Sequence, residues 1–323
     1  MRWFIGFLIT VSAFVPLSSD AKDKKTAPKK PANVFTDVAD APIDYAIQGE
    51  YARDGQGVAA QVVARGNGKF DVYILQGGLP GAGWDPKSKK TKLEAKLDPD
   101  KGIASFMGGD FRKGSQINAK KNTLNLVTDD PIYIELKRVE RKSTTLGAKP
   151  PEGAVVLFDG KNADEWNEKK MVGELLGVPN TTKKKFANFK LHIEFRTPFQ
   201  PTAGGQGRGN SGVYVCGREV QVLDSFGLEG KNNECGGIYS ERAPNVNMCL
   251  PPLVWQTFDI EHRPGKIDPE TKKQGPPRIT VHHNGVLVHD GFELKGGAQS
   301  GTIHLQNHGN PVVYRNVWLV ELK

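Results

Sequence analysis

The strongest constraint on this chain is a period of two. Phe189, Leu191, Ile193 and Phe195 are apolar, and Lys190, His192, Glu194 and Arg196 alternate with them. Successive side chains of an extended strand point to opposite faces, so such a run buries one face and exposes the other. An amphipathic helix would instead place its apolar residues three and four apart. The same alternation returns at Phe258, Ile260 and His262, and in the N-terminal half at Phe70, Val72 and Ile74. Turn residues join these runs. Arg65-Gly66-Asn67-Gly68 separates 57–64 from 69–75, and Asn284-Gly285 separates 278–283 from 286–290. Asn and Gly tolerate the positive φ of a tight hairpin, so both read as hairpins. With 37 Gly and 21 Pro and no heptads or tandem repeats, the whole chain reads as all-β.

Segment by segment, the pattern divides the chain. Residues 1–21 have a charged start, a short apolar run and Ser19-Asp20-Ala21, the build of a secretory signal peptide. Its apolar run is shorter than the roughly 20 residues a membrane span needs. The expectation is export to the periplasm or beyond, with no stable membrane insertion after cleavage. Residues 22–42, rich in Lys, Pro and Ala, read as a flexible linker. Strands at 57–64, 69–75, 91–97, 102–107, 115–119, 123–127 and 131–139 make 43–140 a small meander or barrel. Within it, Trp84 closes a Gly-rich loop and reads as packing locally. Residues 141–152 have linker composition. From 153 to 323, many alternating strands without helical crossovers imply two packed antiparallel sheets, a jelly roll or concanavalin-like sandwich.

Charge and cysteine content remove some function classes. The net charge is +8, but residues 22–31 alone hold five Lys against one Asp, and 151–323 is nearly neutral with 20 basic and 19 acidic residues. A nucleic-acid partner needs basic residues gathered on the fold itself, so that class is set aside. Cys216, Cys235 and Cys249 lack metal-binding spacing. In an oxidising compartment Cys235 and Cys249 are candidates for one disulfide, and Cys216 reads as buried.

Several segments resemble the 3-keto-disaccharide hydrolase family. They are Leu157-Phe158-Asp159-Gly160 with Trp166, the run from Phe189 to Arg196, Gly209-Asn210-Ser211-Gly212-Val213-Tyr214, Glu219-Val220-Gln221-Val222-Leu223-Asp224, Trp255 to Asp259, and His308-Gly309-Asn310 with Tyr314-Arg315-Asn316. The resemblance spans roughly 153–323. It implies a concanavalin-like fold and cleavage of glycosides already oxidised at C3. A C3 ketone acidifies the C2 proton. A base removes it, the enolate expels the C1 group, and water adds. Residues 43–140 resemble a companion domain that precedes this module in planctomycete proteins.

The candidate site residues follow from strand parity and from that resemblance. Glu219 and Gln221 share a strand face. Glu219 and His308 are the candidate bases, Gln221 orients the sugar, and Asp224, at the rim, helps the leaving side. Asn210, Glu234 and Arg315 are further substrate-binding candidates. His304 and Gln306 alternate with His308, whereas His282, His283 and His289 read as surface residues of a hairpin. The residues specify no cofactor, and the metal question stays open, with room for a divalent cation. Glu219 and Asp224 also echo the acidic strand of retaining glycosidases, but five residues of strand span about 16 Å. A retaining pair needs about 5–5.5 Å. The expected partner is a carbohydrate. The alternatives are a lectin-like binding protein and a glycosidase on unoxidised glycans.

Overall fold

The computed structural model describes residues 33–53, 57–130 and 132–323. The signal-peptide expectation at 1–21 lies outside them. A one-turn helix α1 (Ile43–Ile47) leads into strands β1 (Gly49–Ala52), β2 (Val58–Gly66) and β3 (Lys69–Gln76). Two short strands, β4 (Leu79–Pro80) and β5 (Gly83–Trp84), pair with each other. Then come β6 (Lys90–Asp98), β7 (Ile103–Ser105), β8 (Gln116–Asn118), β9 (Thr123–Val127) and β10 (Tyr133–Val139). Leaving β4 and β5 aside, each strand pairs antiparallel with the next and β10 returns to β1, closing an eight-stranded barrel. Closure leaves no free edge to attract another chain. Ala60, Val62, Ala64, Phe70, Val72, Ile74, Leu124 and Leu126 pack together as its core. Trp84 packs locally against Ala59, Leu75 and Leu79.

The second half is a sandwich. Its strands are β11 (Val155–Phe158), β12 (Met171–Val172), β13 (Leu175–Leu176), β14 (Asn180–Thr181), β15 (Phe189–Arg196), β16 (Ser211–Val215), β17 (Arg218–Val222), β18 (Gln256–Arg263), β19 (Arg278–His283), β20 (Val286–Glu293), β21 (Ile303–Leu305) and β22 (Val313–Glu321). The large sheet runs β12-β13-β22-β15-β18-β19-β20, with β11 also on β22, and the small sheet runs β14-β21-β16-β17. Phe189, Leu191, Ile193 and Phe195 of the large sheet share one core with Val213, Val215, Val220, Val222, Ile303 and Leu305 of the small one. The all-β architecture read from alternation is the one observed. Barrel and sandwich lie within one compact unit, 32–323. Val63 and Tyr73, on the barrel's outside, join the sandwich core cluster, and Phe199 and Leu253 join the barrel's.

Three sequence readings change. His283 and His289 are buried, not on the surface. His283 follows Ile279 and Val281 onto the core face of β19, 4.8 Å from the Phe258 ring, where burial lowers its pKa to about 3. His289 reaches Gly236 O at 2.8 Å. The three cysteines are free and buried, so Cys235 and Cys249 are not bonded. Burial and the neighbouring Cys235 push the Cys249 thiol well up. Finally, the stretches of linker composition carry specific contacts. Phe35 exchanges two backbone hydrogen bonds with Phe199.

Residues 143–148 form a strap across the outer face of the large sheet. Ser143 Oγ meets Thr257 Oγ1 at 2.6 Å, and Thr145 Oγ1 donates to Asp259 Oδ2 at 2.6 Å. Gly147 N donates to Glu194 Oε1 at 2.6 Å, and Ala148 O accepts from Asn316 Nδ2 and Trp318 Nε1. Beneath the strap, His192 stacks on Trp318 and holds Asp259 Oδ1 at 2.6 Å. Burial alone would lower the His192 pKa, but its bonds to Asp259 and Glu194 outweigh this and raise it to about 8. Burial would raise Glu194, yet His192, Asn316, Arg315 and the Gly147 amide hold it down to about 2.

Candidate active site

The outer face of the small sheet is set by strand parity. Val213, Val215, Val220, Val222, Ile303 and Leu305 point into the core, so the residues between them point away from it. Register aligns His304, Tyr214 and Glu219 in one row across the sheet, and pairs Gly212 with Gln221 in the next. Gln306 continues that second row, its N–H donating to Gly212 O at 2.9 Å. Gly212 leaves a hole in the row, and the Glu219 carboxylate fills it. A Cβ on Gly212 would lie 2.2 Å from Glu219 Oε1. Glycine here makes room for the carboxylate in this position and is not called for by an unusual backbone angle.

The hydrogen bonds fix which atoms of this face remain free. An ionised carboxylate only accepts, so Tyr214 Oη donates to Glu219 Oε2 at 2.8 Å. The Tyr214 oxygen then accepts from Gln306 Nε2 at 3.3 Å. Gln221 Nε2 donates to Gln206 Oε1 at 3.0 Å and to Asn233 O at 3.4 Å. Asn210 Nδ2 donates to Gln206 O at 2.8 Å and to its Oε1 at 3.1 Å. Backbone carbonyls also only accept, which dictates the amide orientations. Gln221 Oε1, Asn210 Oδ1 and Gln306 Oε1 are thereby left buried and unpartnered. Buried polar groups are nearly always paired, so three acceptors gathered on one face near a carboxylate are open to donors from solvent or from a ligand. Sugar hydroxyls suit them, and so does a hard cation. Among the described residues, no group of three His, Cys, Asp or Glu is arranged to hold a metal.

Glu219 is 8 % exposed, and burial raises its pKa. The Tyr214 hydrogen bond and the charge of His308 act against that rise without cancelling it. His308 is thus within electrostatic reach of Glu219, and it is exposed in the turn after β21. A cavity of about 470 Å³ lies on the other sheet, between the strap and His192, Asp259 and Trp318. Asp259 there is already bonded to Thr145 and His192, so the free acceptors of the small sheet carry more weight than cavity size.

The structure gathers Glu219, Gln221 and Asn210 on or beside this face, with His308 at its edge. It places three other candidates elsewhere. Asp224 is not at the rim. The strand ends at Val222, and Asp224 is 2 % exposed, its Oδ2 accepting from Arg208 Nε at 2.7 Å. Glu234 accepts from the amides of Gly230 and Lys231 and so shapes its own loop. Arg315 stands on the large sheet, bonded to Glu194 at 2.7 Å and 4.1 Å from the Trp255 ring centroid. It belongs to the strap side because β22 is in the other sheet. Sequence reasoning passed over Tyr214, Gly212 and Gln206. Tyr214 had a signal, since it alternates with Val213 and Val215 inside a quoted motif. Gln206 lies in the Gly-rich loop 203–210, which reads as a flexible wall beside the site but does not say which side chain the wall brings.

Residues 153–320 match the sequence profile of the 3-keto-alpha-glucoside-1,2-lyase-like domain. Among curated proteins, none matches the chain. Solved structures from Parabacteroides distasonis ATCC 8503, each described as a "putative glycosyl hydrolase", are similar to it. One is 31% identical, covering 53% of this chain and 85% of its own, with a TM-score of 0.48. A second is 19% identical, covering 53% and 95%, with a TM-score of 0.41. A third is 24% identical, covering 52% and 99%, with a TM-score of 0.39.

Proposed function

The chain belongs to the 3-keto-alpha-glucoside-1,2-lyase-like domain family, and from that premise we propose that it cleaves glycosides or disaccharides carrying a ketone at C3. In this reading Glu219 takes the C2 proton. Its buried setting raises its pKa towards the working pH, which suits a general base. The electrons of the C2–H bond form the enolate, and the C1–O bond then breaks. His308, exposed two residues beyond Gln306 and within electrostatic reach of Glu219, is assigned the proton for the departing oxygen. Addition of water across the new double bond completes hydrolysis, and its omission gives elimination.

The observation that carries this reading is a carboxylate held by Tyr214 alone, with no basic partner among the described residues, amid three acceptor oxygens. Gln221, Asn210 and Gln306 offer acceptors to sugar hydroxyls, whereas a ketone oxygen also accepts and is turned away from them. An ordinary glycosidase needs two working carboxyls. Here the other two candidates are occupied, Asp224 by Arg208 and Glu234 by loop amides. A lectin-like role would leave the raised pKa of Glu219 without a use.

The test is incubation of the mature protein with a 3-keto-disaccharide and with the parent disaccharide. Release of monosaccharide from the keto sugar alone is expected. Equal release from both would favour a glycosidase, and binding without release a lectin. We propose further that the protein is exported and loses residues 1–21, which the mass of the native protein checks.

A further inference from the structure

Two loops wall the Gln221 side of the candidate site. The first, 197–210, brings Gln206 and Asn210. The second, 223–237, brings Asn233. Both are fastened to the barrel. In the first, Phe199 is fully buried in the barrel core, pairs with Phe35 and meets the Tyr45 ring edge-on at 5.2 Å. Three residues on, Thr202 fits against Gly66, where an added Cβ would come within 2.5 Å of its Cγ2. Arg208 closes the loop. It is 4 % exposed, donates to Ala64 O of β2 at 3.1 Å, and pairs with Asp224 at 2.7 Å. In the second loop, Gly227 lies on Val63, 2.5 Å from a would-be Cβ, and near Tyr73. Lys90 of β6 donates to Gly227 O at 3.0 Å and Leu228 O at 3.2 Å, and pairs with Glu229 at 3.3 Å.

We propose that the barrel is a positioning element of the active site, with Arg208 and Lys90 as the positioning residues that clamp its two walls. The physical reason is the hydrogen-bond chain between the walls. Gln206 is held only through Asn210, Gln221 and Asn233 O, and one tip cannot stay in place if either loop drifts. The first loop contains Gly204, Gly205, Gly207 and Gly209, whose freedom costs entropy to restrain. A barrel anchor at each end offsets that cost. This also gives Asp224 a role. It holds Arg208 instead of touching substrate. The turnover part of the proposal rests on the reaction assigned above, and the loop-ordering part does not.

The test uses the full mature chain with Arg208→Met, Lys90→Met and, on the exposed side of the barrel, Lys89→Met. Amide hydrogen exchange is followed in 203–210 and 228–237 and in strand β17. Arg208→Met should speed exchange in 203–210 about tenfold or more, and Lys90→Met in 228–237, with β17 and the Lys89→Met control unchanged. With the keto-disaccharide, both clamp variants should raise KM about tenfold and change kcat by less than about threefold. If Arg208→Met fails to fold, Arg208→Met combined with Asp224→Asn removes the unpaired charge and takes its place. Unchanged exchange in both loops overturns the proposal, and so does a fall in kcat alone. If wild-type protein leaves both sugars intact, the reaction assignment fails and the exchange data still decide the clamp.

Discussion

The two sheets of the sandwich each carry a polar ladder on the outer face, and the ladders end differently. On the large sheet, Glu194, Asp259, Asn316 and Trp318 bond to the strap 143–148, a piece of the same chain. On the small sheet, Gln221, Asn210 and Gln306 keep an oxygen without a partner. Parity and residue type alone would give the two faces equal claims. What separates them is how much stays open: the large-sheet ladder leaves His192 Nε2 without a hydrogen bond, 3.7 Å from Glu194 Oε1, whereas the small-sheet ladder leaves three side-chain oxygens. A ladder closed by its own chain stabilises, and one left open is poised to bind.

The sharpest way to break the comparison is to remove the charge from each face. Glu219→Gln keeps shape and should cut turnover of the keto sugar by about 10²–10⁴, with binding retained. Wild-type kcat/KM should rise with pH through a pKa above the ordinary carboxylate range, because the base must be ionised, and the variant should lose that limb. Near-wild-type turnover removes Glu219 from the role. Glu194→Ala on the strap side leaves Arg315 and His192 without their shared partner. It should cost about 1–3 kcal/mol in denaturant unfolding, since the Gly147 amide and the Asn316 amide lose a buried acceptor, while KM stays put. A change in KM there would merge the two faces into one functional unit.

Smaller effects sharpen the contrast. The raised pKa of His192 stabilises the folded state fully below its ordinary value of 6.5 and ceases to do so as pH climbs through about 8. The loss is at most about 2 kcal/mol, because Asp259 is partly exposed. The low pKa of Glu194 adds stability above its ordinary 4.5, lost as pH falls through about 2. Thermal melts across pH 5 to 9 should therefore show decline on the alkaline side, and His192→Gln should flatten it. Smallest of all, Gln221→Ala should raise KM about tenfold, roughly 1.4 kcal/mol, with little change in melting temperature.

Much of this was readable from the residues, for local reasons. Glu219 and Gln221 share a face because a strand has period two, and both hairpins lie where Asn-Gly and Gly-Asn-Gly put them. What was not readable depends on where a strand is placed. Arg315 lies in a motif beside Tyr314, yet Tyr314 is buried and bonds to Ser211, while Arg315 belongs to the strap side. Asp224 sits two residues past its strand, so parity says nothing of it, and its partner Arg208 is 16 residues away. The strap has linker composition because its bonds use backbone and small hydroxyls, which leave no compositional trace. His283 misled because a polar residue type outweighed the parity of its strand, and His289 because a register shift between β19 and β20 buries it directly after the core residue Val288.

The bare backbone at Gly212 has a consequence for how such a site is recognised and altered. The position packed against the Glu219 carboxylate has no side chain, so a search for reactive groups passes over it. Evolution can switch the site off there without touching its chemistry. A single methyl group would evict the carboxylate while leaving its charge, its tyrosine and its strand in place. On the proposed chemistry, relatives with Glu219 intact and a bulkier residue at 212 should turn over the keto sugar poorly, a difference identifiable from one letter.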